Sequence, residues 1–437
     1  MTSGRKMSDD PKADTRAFLF LQGPHGPFFF QLAAQLRQTG ARVWRVGFNA
    51  GDRLFWPETR TYLPFRGKHE TWAETCRHLI ENHSVTDLVL YGDTRAIHAE
   101  AITLAKAKGL RVHIFEEGYL RPYWITYERD GSNGNSRLME LSLQDMALAQ
   151  KSNLLDPPVP PSHWGATRQH IFYGAVYHWC VLALNWRYRN FEPHRDLSVA
   201  QEFKLYLRKL VLMPFHATDR SIASSRIRLG RFPYHLVLLQ LAHDASFKQY
   251  SPFKDQAEFI DCVLRGFAES APLHHHLVFK AHPLEDGRTP LRKNIKRLAA
   301  KYNLSHRVHF VRGGKLARLL DSAKSAVTVN STAAQQVLWR GLPLKAFGTS
   351  VYDKDDLVSH QSLPDFFRKP ERKDIEKYKL FRDFLLSTSQ IPGSFYSSRG
   401  RQQALRHVTD LMLAPEGPYT SARAEIEADK QHLRIVR

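Results

Sequence analysis

Apolar residues fall along this chain in short bursts separated by polar, helix-spaced segments. Arg16–Leu21 is an apolar run closed by Gly23, Pro24, Gly26 and Pro27, which predicts a buried strand stopping at a loop. Phe28–Gln38 then reads as a helix. Val43–Phe48, Leu88–Tyr91 and Val112–Phe115 predict further strands, with helical patterns at Glu70–Asn82 and Arg95–Lys108 between them. Strands alternating with helices of this length imply a parallel sheet covered on both faces.

The alternation breaks after Arg137. A Pro-rich stretch at Pro157–Pro161 precedes a helical segment, His170–Tyr188, rich in Phe, Tyr and Trp and flanked by Arg168, Arg187 and Arg189. Two readings stay open for that segment: a core helix packed on a domain, or an interfacial helix with aromatic anchors. A second series follows, with strands at His235–Leu241, His276–Ala281, Val308–Val311 and Ser325–Val329. Its helices fall at Gln256–Ser270, Pro290–Tyr302, Lys315–Ala323 and Thr332–Arg340. The expected organisation is a flexible tail (1–15), a Rossmann-like unit (16–225) with a helical insertion at about 140–215, a second Rossmann-like unit (226–395) and a peripheral helical extension (396–437).

Composition narrows the classes. With 43% apolar and 24% charged residues over 437 positions, the chain can bury two large cores. A net charge of +20 favours phosphate-bearing partners without choosing among nucleic acid, anionic lipid and a nucleotide-sugar. Three scattered cysteines without a Cys-x-x-Cys pair support neither a disulfide framework nor a zinc ribbon, which fits a reducing cytoplasm. The polar N-terminus lacks a secretory apolar core, and no apolar run is long enough to span a bilayer, so a protein lying on the membrane is the expectation.

Four constellations carry candidate chemistry. Glu116 and Glu117 end a strand just before Gly118 and Arg121, where open α/β sheets bind ligands. One carboxylate of such a pair can accept a proton while the other disperses charge, or both can be solvated turn acids. Lys280, His282 and Pro283 sit at another strand end, and Asn330, Ser331 and Thr332 follow a third. A His held extended before Pro can aim at a phosphate, and hydroxyls and amides at a helix start can receive an anion or simply cap. Gln240 and Asp244 follow the strand at His235; Asp244 can meet an anomeric carbon or cap a helix. Gln22, Gly23 and Gly26 line the first strand end without the spacing of a dinucleotide fingerprint, so a plain turn competes with close approach to a ligand. His274, His275 and His276 point alternately to opposite faces and have no acidic or Cys partners at ligand spacing, which argues against a metal. Gly313-Gly314-Lys315 lacks the remaining P-loop residues, and no nucleic-acid recognition motif is present.

Taken in order and spacing, Gln22-Gly-Pro-His-Gly-Pro-Phe-Phe, Glu116-Glu117-Gly-Tyr-Leu-Arg-Pro, Gln240-x-x-x-Asp244, Lys280-x-His282-Pro283 and Asn330-Ser331-Thr332 resemble the capsule polysaccharide β-Kdo transferases of the KpsS and KpsC type. One copy of the set resembles the single-module initiating enzyme. The resemblance implies a GT-B-like α/β fold of two Rossmann-like doubly wound domains facing a central cleft. It also implies CMP-β-Kdo as donor, a (lyso)phosphatidylglycerol acceptor at the inner membrane face, and retention of configuration. On that template Glu117 is the acid/base and Asp244 the nucleophile. Lys280, His282, Pro283, Asn330, Ser331, Thr332 and Gln240 hold the donor, and Gln22, Gly23, Gly26, Glu116, Gly118 and Arg121 complete the cleft. Neither a metal nor a further cofactor is implied; a second, elongating Kdo transferase and the capsule export complex are the implied partners. Two positions depart from the family pattern: Ala333-Ala334 stands where Gly-rich sequence is usual, and Glu117 where Asp is frequent. A CMP-sialic-acid-type transferase and a non-catalytic export or assembly factor are the competing readings.

Overall fold

The computed structural model describes residues 16–152, 167–192, 197 and 199–419. The expected tail (1–15), the Pro157–Pro161 stretch and the last part of the extension (420–437) lie outside the described residues.

The strands are β1 (Ala17–Phe20), β2 (Arg42–Gly47), β3 (Tyr62–Pro64), β4 (Asp87–Tyr91), β5 (Arg111–Glu117), β6 (Trp124–Arg129), β7 (Tyr234–Leu238), β8 (His276–Lys280), β9 (Val308–Val311), β10 (Ala323–Thr328), β11 (Leu344–Ala346) and β12 (Gln390–Pro392). They form a seven-stranded sheet ordered β12-β6-β5-β4-β1-β2-β3 and a five-stranded sheet ordered β11-β10-β7-β8-β9. Counted from the first strand of each, both contain the same parallel 3-2-1-4-5 winding, so each has a switch point beside its first strand. The fold is therefore GT-B-like: two doubly wound α/β units with a cleft between them.

Burial explains why the apolar bursts became strands. β1 is wholly buried, and β4 is buried except at Tyr91, as expected where helices cover both faces. The helix Phe28–Gln38 seats Phe28, Phe29, Leu32, Ala33 and Leu36 on the first sheet, and Phe28 and Phe29 meet Phe115 edge-to-face at 5.7 Å each. Beneath them Asp87 is buried between Arg16 (Nε to Oδ2, 3.1 Å) and His113 (Nε2 to Oδ1, 2.8 Å). Burial works against ionisation there, yet the hydrogen bonds from His113 and Arg16 hold the carboxyl well below the ordinary range.

Several expectations need correction. The first sheet is not wholly parallel, because β6 returns antiparallel on β5 and β12 antiparallel on β6. The extension is not peripheral. After β12 rejoins the first sheet, the helix Ser398–Leu413 buries Arg401, Ala404, Leu405, Val408 and Met412 against the first unit; the buried Leu, Val and Met side chains contribute about 1.5–3 kcal/mol each. The chain thus re-enters the first unit before residue 396, and one helix, Val199–Gly230, runs straight through the expected boundary at 225. The helices expected at Lys315–Ala323 and Thr332–Arg340 shrink to Ala317–Leu320 and to a 3-10 turn Thr332–Ala334 continued by Gln335–Leu338. Ala323 already belongs to β10, and β7 stops at Leu238, three residues before the predicted end.

Candidate functional site

Each switch point carries a glutamine just beyond the first strand. In the first unit Gln22 donates to Asp52 (3.2 Å) and accepts from Arg95 (3.2 Å). In the second, Gln240 donates to the Asn330 side chain (2.8 Å) and accepts from the Asn330 amide (3.2 Å). Asn330 spends its remaining donors on the Ser246 and Thr349 carbonyls (2.8 and 3.4 Å). Gln240 and Asn330, expected to hold the donor, therefore brace two strand-end loops against each other, and both are buried.

The glycines of the first loop act through packing. A Cβ on Gly23 would stand 2.4 Å from the Phe29 ring, and Gly26 (φ +119°) faces Tyr173. Tyr173 belongs to the helix Thr167–Leu184, whose Tyr177 stacks on His25 at 4.3 Å and accepts from Asn49 at 2.7 Å. That helix roofs the loop with one face and leaves Ile171, Phe172, Trp179, Leu182 and Leu184 exposed on the other. The packed side fits the core-helix reading.

Glu116 and Glu117 lie where β5 pairs antiparallel with β6, opposite Thr126 and Ile125. Gly118 is required at the turn: its amide donates to the Trp124 carbonyl at 3.1 Å, and a Cβ would come within 2.3 Å of that oxygen. From β12, Gln390 donates to Thr126 (3.0 Å) and accepts from the Leu120 amide (3.2 Å), pinning the turn. Burial, then the charges of Asp93 and Glu117, push the Glu116 carboxyl up to about 8, against the pull of Arg95 and Arg121. At Gly92 (φ +72°) a Cβ would stand 3.0 Å from Glu116 Oε1, so its absence leaves room for that carboxyl. Glu117 accepts from the Tyr91 hydroxyl at 3.4 Å and also meets Tyr396, on which His170 stacks at 4.1 Å.

Asp244 caps the short helix Ala245–Tyr250, accepting from the Ser246 amide at 3.0 Å. Burial raises its pKa, opposed by that amide, by Arg121 and by Gln240. Arg121 thus acts electrostatically on Glu116 of the first unit and on Asp244 of the second. The capping reading of Asp244 holds.

Alongside lies a cavity of about 920 Å³ lined from both units. Of the sequence-derived candidates, Arg121, Lys280, His282, Pro283, Ser331 and Thr332 line it. Burial and the charge of Arg220 lower Lys280 to about 8. His282 Nδ1 accepts from the Leu284 amide at 3.1 Å, which assigns its proton to Nε2. Ser331 accepts from the Ala333 amide at 3.2 Å and keeps its hydroxyl proton to donate. Such a surface, cationic and rich in donors, suits a phosphate.

Sequence reasoning missed Asp93, Arg95, Tyr396 and His170 around the acid pair, and Lys315, Trp339 and Arg382 around the cavity. Asp93 and Arg95 follow β4, so the strand-end logic that selected Gln22 applies to them equally. His170 and Tyr396 are 226 positions apart and had no local signal. The Arg382 guanidinium lies 4.8 Å from the Trp339 ring centre, a pairing equally invisible along the chain. Among the described residues no group of three or more His, Cys, Asp or Glu could hold a metal ion; in the His274–His276 run, His275 pairs with His235 at 3.0 Å and His276 with His309 at 2.9 Å.

Residues 86–396 match the family model described as "Capsule polysaccharide biosynthesis protein". The chain is 32% identical over 391 residues to the capsule polysaccharide export protein KpsS of Escherichia coli, covering 87% of this chain and 97% of that one. It is 32% identical over 388 residues to the capsule polysaccharide modification protein LipB of Neisseria meningitidis serogroup A, covering 87% and 91%. Among solved structures, the β-Kdo 2,7 transferase of Thermosulfurimonas dismutans KpsC aligns with 91% of this chain and 100% of its own, at 12% identity and a TM-score of 0.41.

Proposed function

Because this chain belongs to the capsule polysaccharide biosynthesis protein family, we propose that it is a retaining glycosyltransferase. It moves Kdo from CMP-β-Kdo to (lyso)phosphatidylglycerol and so starts the poly-Kdo linker of a capsular polysaccharide. The observation that carries the reading is a cavity lined by Arg121 of one unit and by Lys280, His282, Ser331 and Thr332 of the other, with the charge of Arg121 acting on both Glu116 and Asp244. Retention by two inversions needs a carboxylate nucleophile facing the donor and a second group to deprotonate the acceptor.

In this mechanism Asp244 attacks the anomeric carbon of Kdo as the bond to CMP breaks. Lys280, His282, Ser331 and Thr332 receive the departing phosphate by charge and hydrogen bonding. The acceptor hydroxyl then attacks the glycosyl-enzyme carbon, its proton passes to Glu117, and Asp244 leaves. Glu116, held protonated at neutral pH by burial, keeps a second negative charge away from the acceptor hydroxyl, so the proton-accepting role falls to Glu117. Catalysis takes place at the inner membrane face, and the exposed side of Thr167–Leu184 together with the turn that follows it, with Trp179 and Trp186 more than half exposed, supplies the lipid contact. Among the described residues no helix is long and apolar enough to cross a membrane.

The test is mass spectrometry of a fluorescent phosphatidylglycerol incubated with purified protein and CMP-Kdo generated in situ, with Asp244→Ala in parallel. A gain of one Kdo that the variant lacks is expected. A gain only with CMP-sialic acid would reassign the donor. No gain with either, together with normal capsule display by Glu117→Ala and Asp244→Ala cells, would overturn the enzyme reading in favour of an assembly factor.

A further inference from the structure

A larger cavity, about 1420 Å³, shares Pro283, Gly314 and Lys315 with the cleft and is otherwise separate from it. One wall is the C-terminal end of Val199–Gly230 and the other the segment from Gly313 to Lys324. Six cations line it: Arg220, Arg228, Arg231, Lys315, Arg318 and Lys324, against the single acid Asp321. Asp321 already pairs with Arg340 at 3.3 Å, and the nearby Asp219 pairs with Arg292 at 2.9 Å and Arg312 at 4.0 Å. Among the described residues none of the six is joined in an ion pair. Ser221, Ser224 and Ser225 add hydroxyl donors to the helical wall.

Six like charges around one hollow repel one another, and an anion bound among them lowers that energy while their summed field attracts it. Guanidinium groups supply paired donors matched to phosphate oxygens. Arg220 marks the junction with the cleft. Its side chain occupies the space a Cβ on Gly314 (φ +81°) would need, its Cδ standing 2.5 Å from that position, and its charge reaches Lys280.

We propose that this hollow is a phosphate-binding site separate from the cleft, for a multiply charged phosphate presented as a free anion or as phospholipid headgroups. It does not depend on the identity of the sugar donor.

The test measures inorganic pyrophosphate binding to the full chain by titration calorimetry with excess CMP present to fill the cleft, comparing wild type with the triple variant Arg228→Gln/Arg231→Gln/Arg318→Gln. The three arginines are exposed, so the triple variant is expected to melt with the wild type. Arg318→Gln alone serves as the milder variant. The expected result is at least tenfold weaker binding in the triple variant and about threefold weaker in Arg318→Gln. Co-sedimentation with vesicles of phosphatidylglycerol, against phosphatidylcholine alone, separates the sources. Loss of vesicle binding by the triple variant identifies headgroups, and loss of pyrophosphate binding only identifies a free anion. Pyrophosphate binding that survives the triple substitution, or that excess CMP abolishes in the wild type, would overturn the proposal.

Discussion

Replacing Glu116 by Gln should make the protein more stable in alkaline solution and leave it unchanged in acid. The carboxyl sits at about 8 rather than 4.5, first because burial strips its water and then because Asp93 and Glu117 face it. Between those two values the unfolded chain releases this proton while the folded one keeps it. Folding stability from this group is therefore complete below the lower value and declines as pH rises through the upper one. At about 1.4 kcal/mol per tenfold change in proton affinity the ceiling is about 5 kcal/mol. Glu116 is only half-buried by exposure, and solvent reaching it reduces the expected effect to roughly 2–3 kcal/mol. Gln cannot ionise, so the measurement is urea unfolding of both proteins at about pH 5 and about pH 8.5. The two should coincide at the lower pH, and the variant should lead at the higher. Glu128, which burial also raises, to about 7, is common to both proteins and cancels in the difference. Identical pH dependence in the two proteins would refute the reasoning.

Other substitutions separate roles that coincide in one side chain. Asp244→Asn keeps the helix cap, so its stability should stay within about 0.5 kcal/mol of wild type, whereas Asp244→Ala should lose about 1 kcal/mol in denaturant titrations. Transfer activity should fall by about 10³-fold or more in both, and an active Asn variant would count against Asp244 as nucleophile. Trp179→Ala/Trp186→Ala removes two side chains that are 58% and 65% exposed; thermal melts should barely move, while co-sedimentation with anionic vesicles should drop, and unchanged binding would remove this face from the lipid contact. Arg16→Met strips a donor pair from Asp87, buried at 0% exposure, and should cost about 3 kcal/mol of unfolding free energy in urea. A loss below about 1 kcal/mol would mean that His113 and the Thr86 hydroxyl, which donates to Asp87 at 2.6 Å, satisfy that carboxylate without Arg16.

Much of the architecture was legible because it depends on local signals. Strand and helix periodicity located β1, β2, β4, β5, β8 and β9 within a few residues, and the helices Phe28–Gln38 and Gln256–Ser270 to the residue. Strand-end positions singled out Glu116, Glu117, Asp244, Lys280 and His282, since a parallel sheet presents its carboxyl ends to ligands whatever the details of packing. Three-residue strands such as β3 and β12 were missed, being too short to show a period. So was β6, whose antiparallel return on β5 is wholly buried and therefore lacks alternation.

The order of polar and apolar residues, with Gly and Pro closing each strand, suffices to specify two α/β windings and the ends at which chemistry sits, because those signals act within a few residues. Which chemistry those ends perform depends on neighbours far apart in the chain. Arg121 acts electrostatically on both Glu116 and Asp244, Tyr396 and His170 stack beside Glu117, and Gln240 and Asn330 brace two strand-end loops against each other. Folding alone brings these groups together, and burial and Coulomb energy then set their protonation. The final helix shows the same division: its amphipathic pattern predicts a helix, but only the return of β12 to the first sheet turns a solvent-facing extension into core.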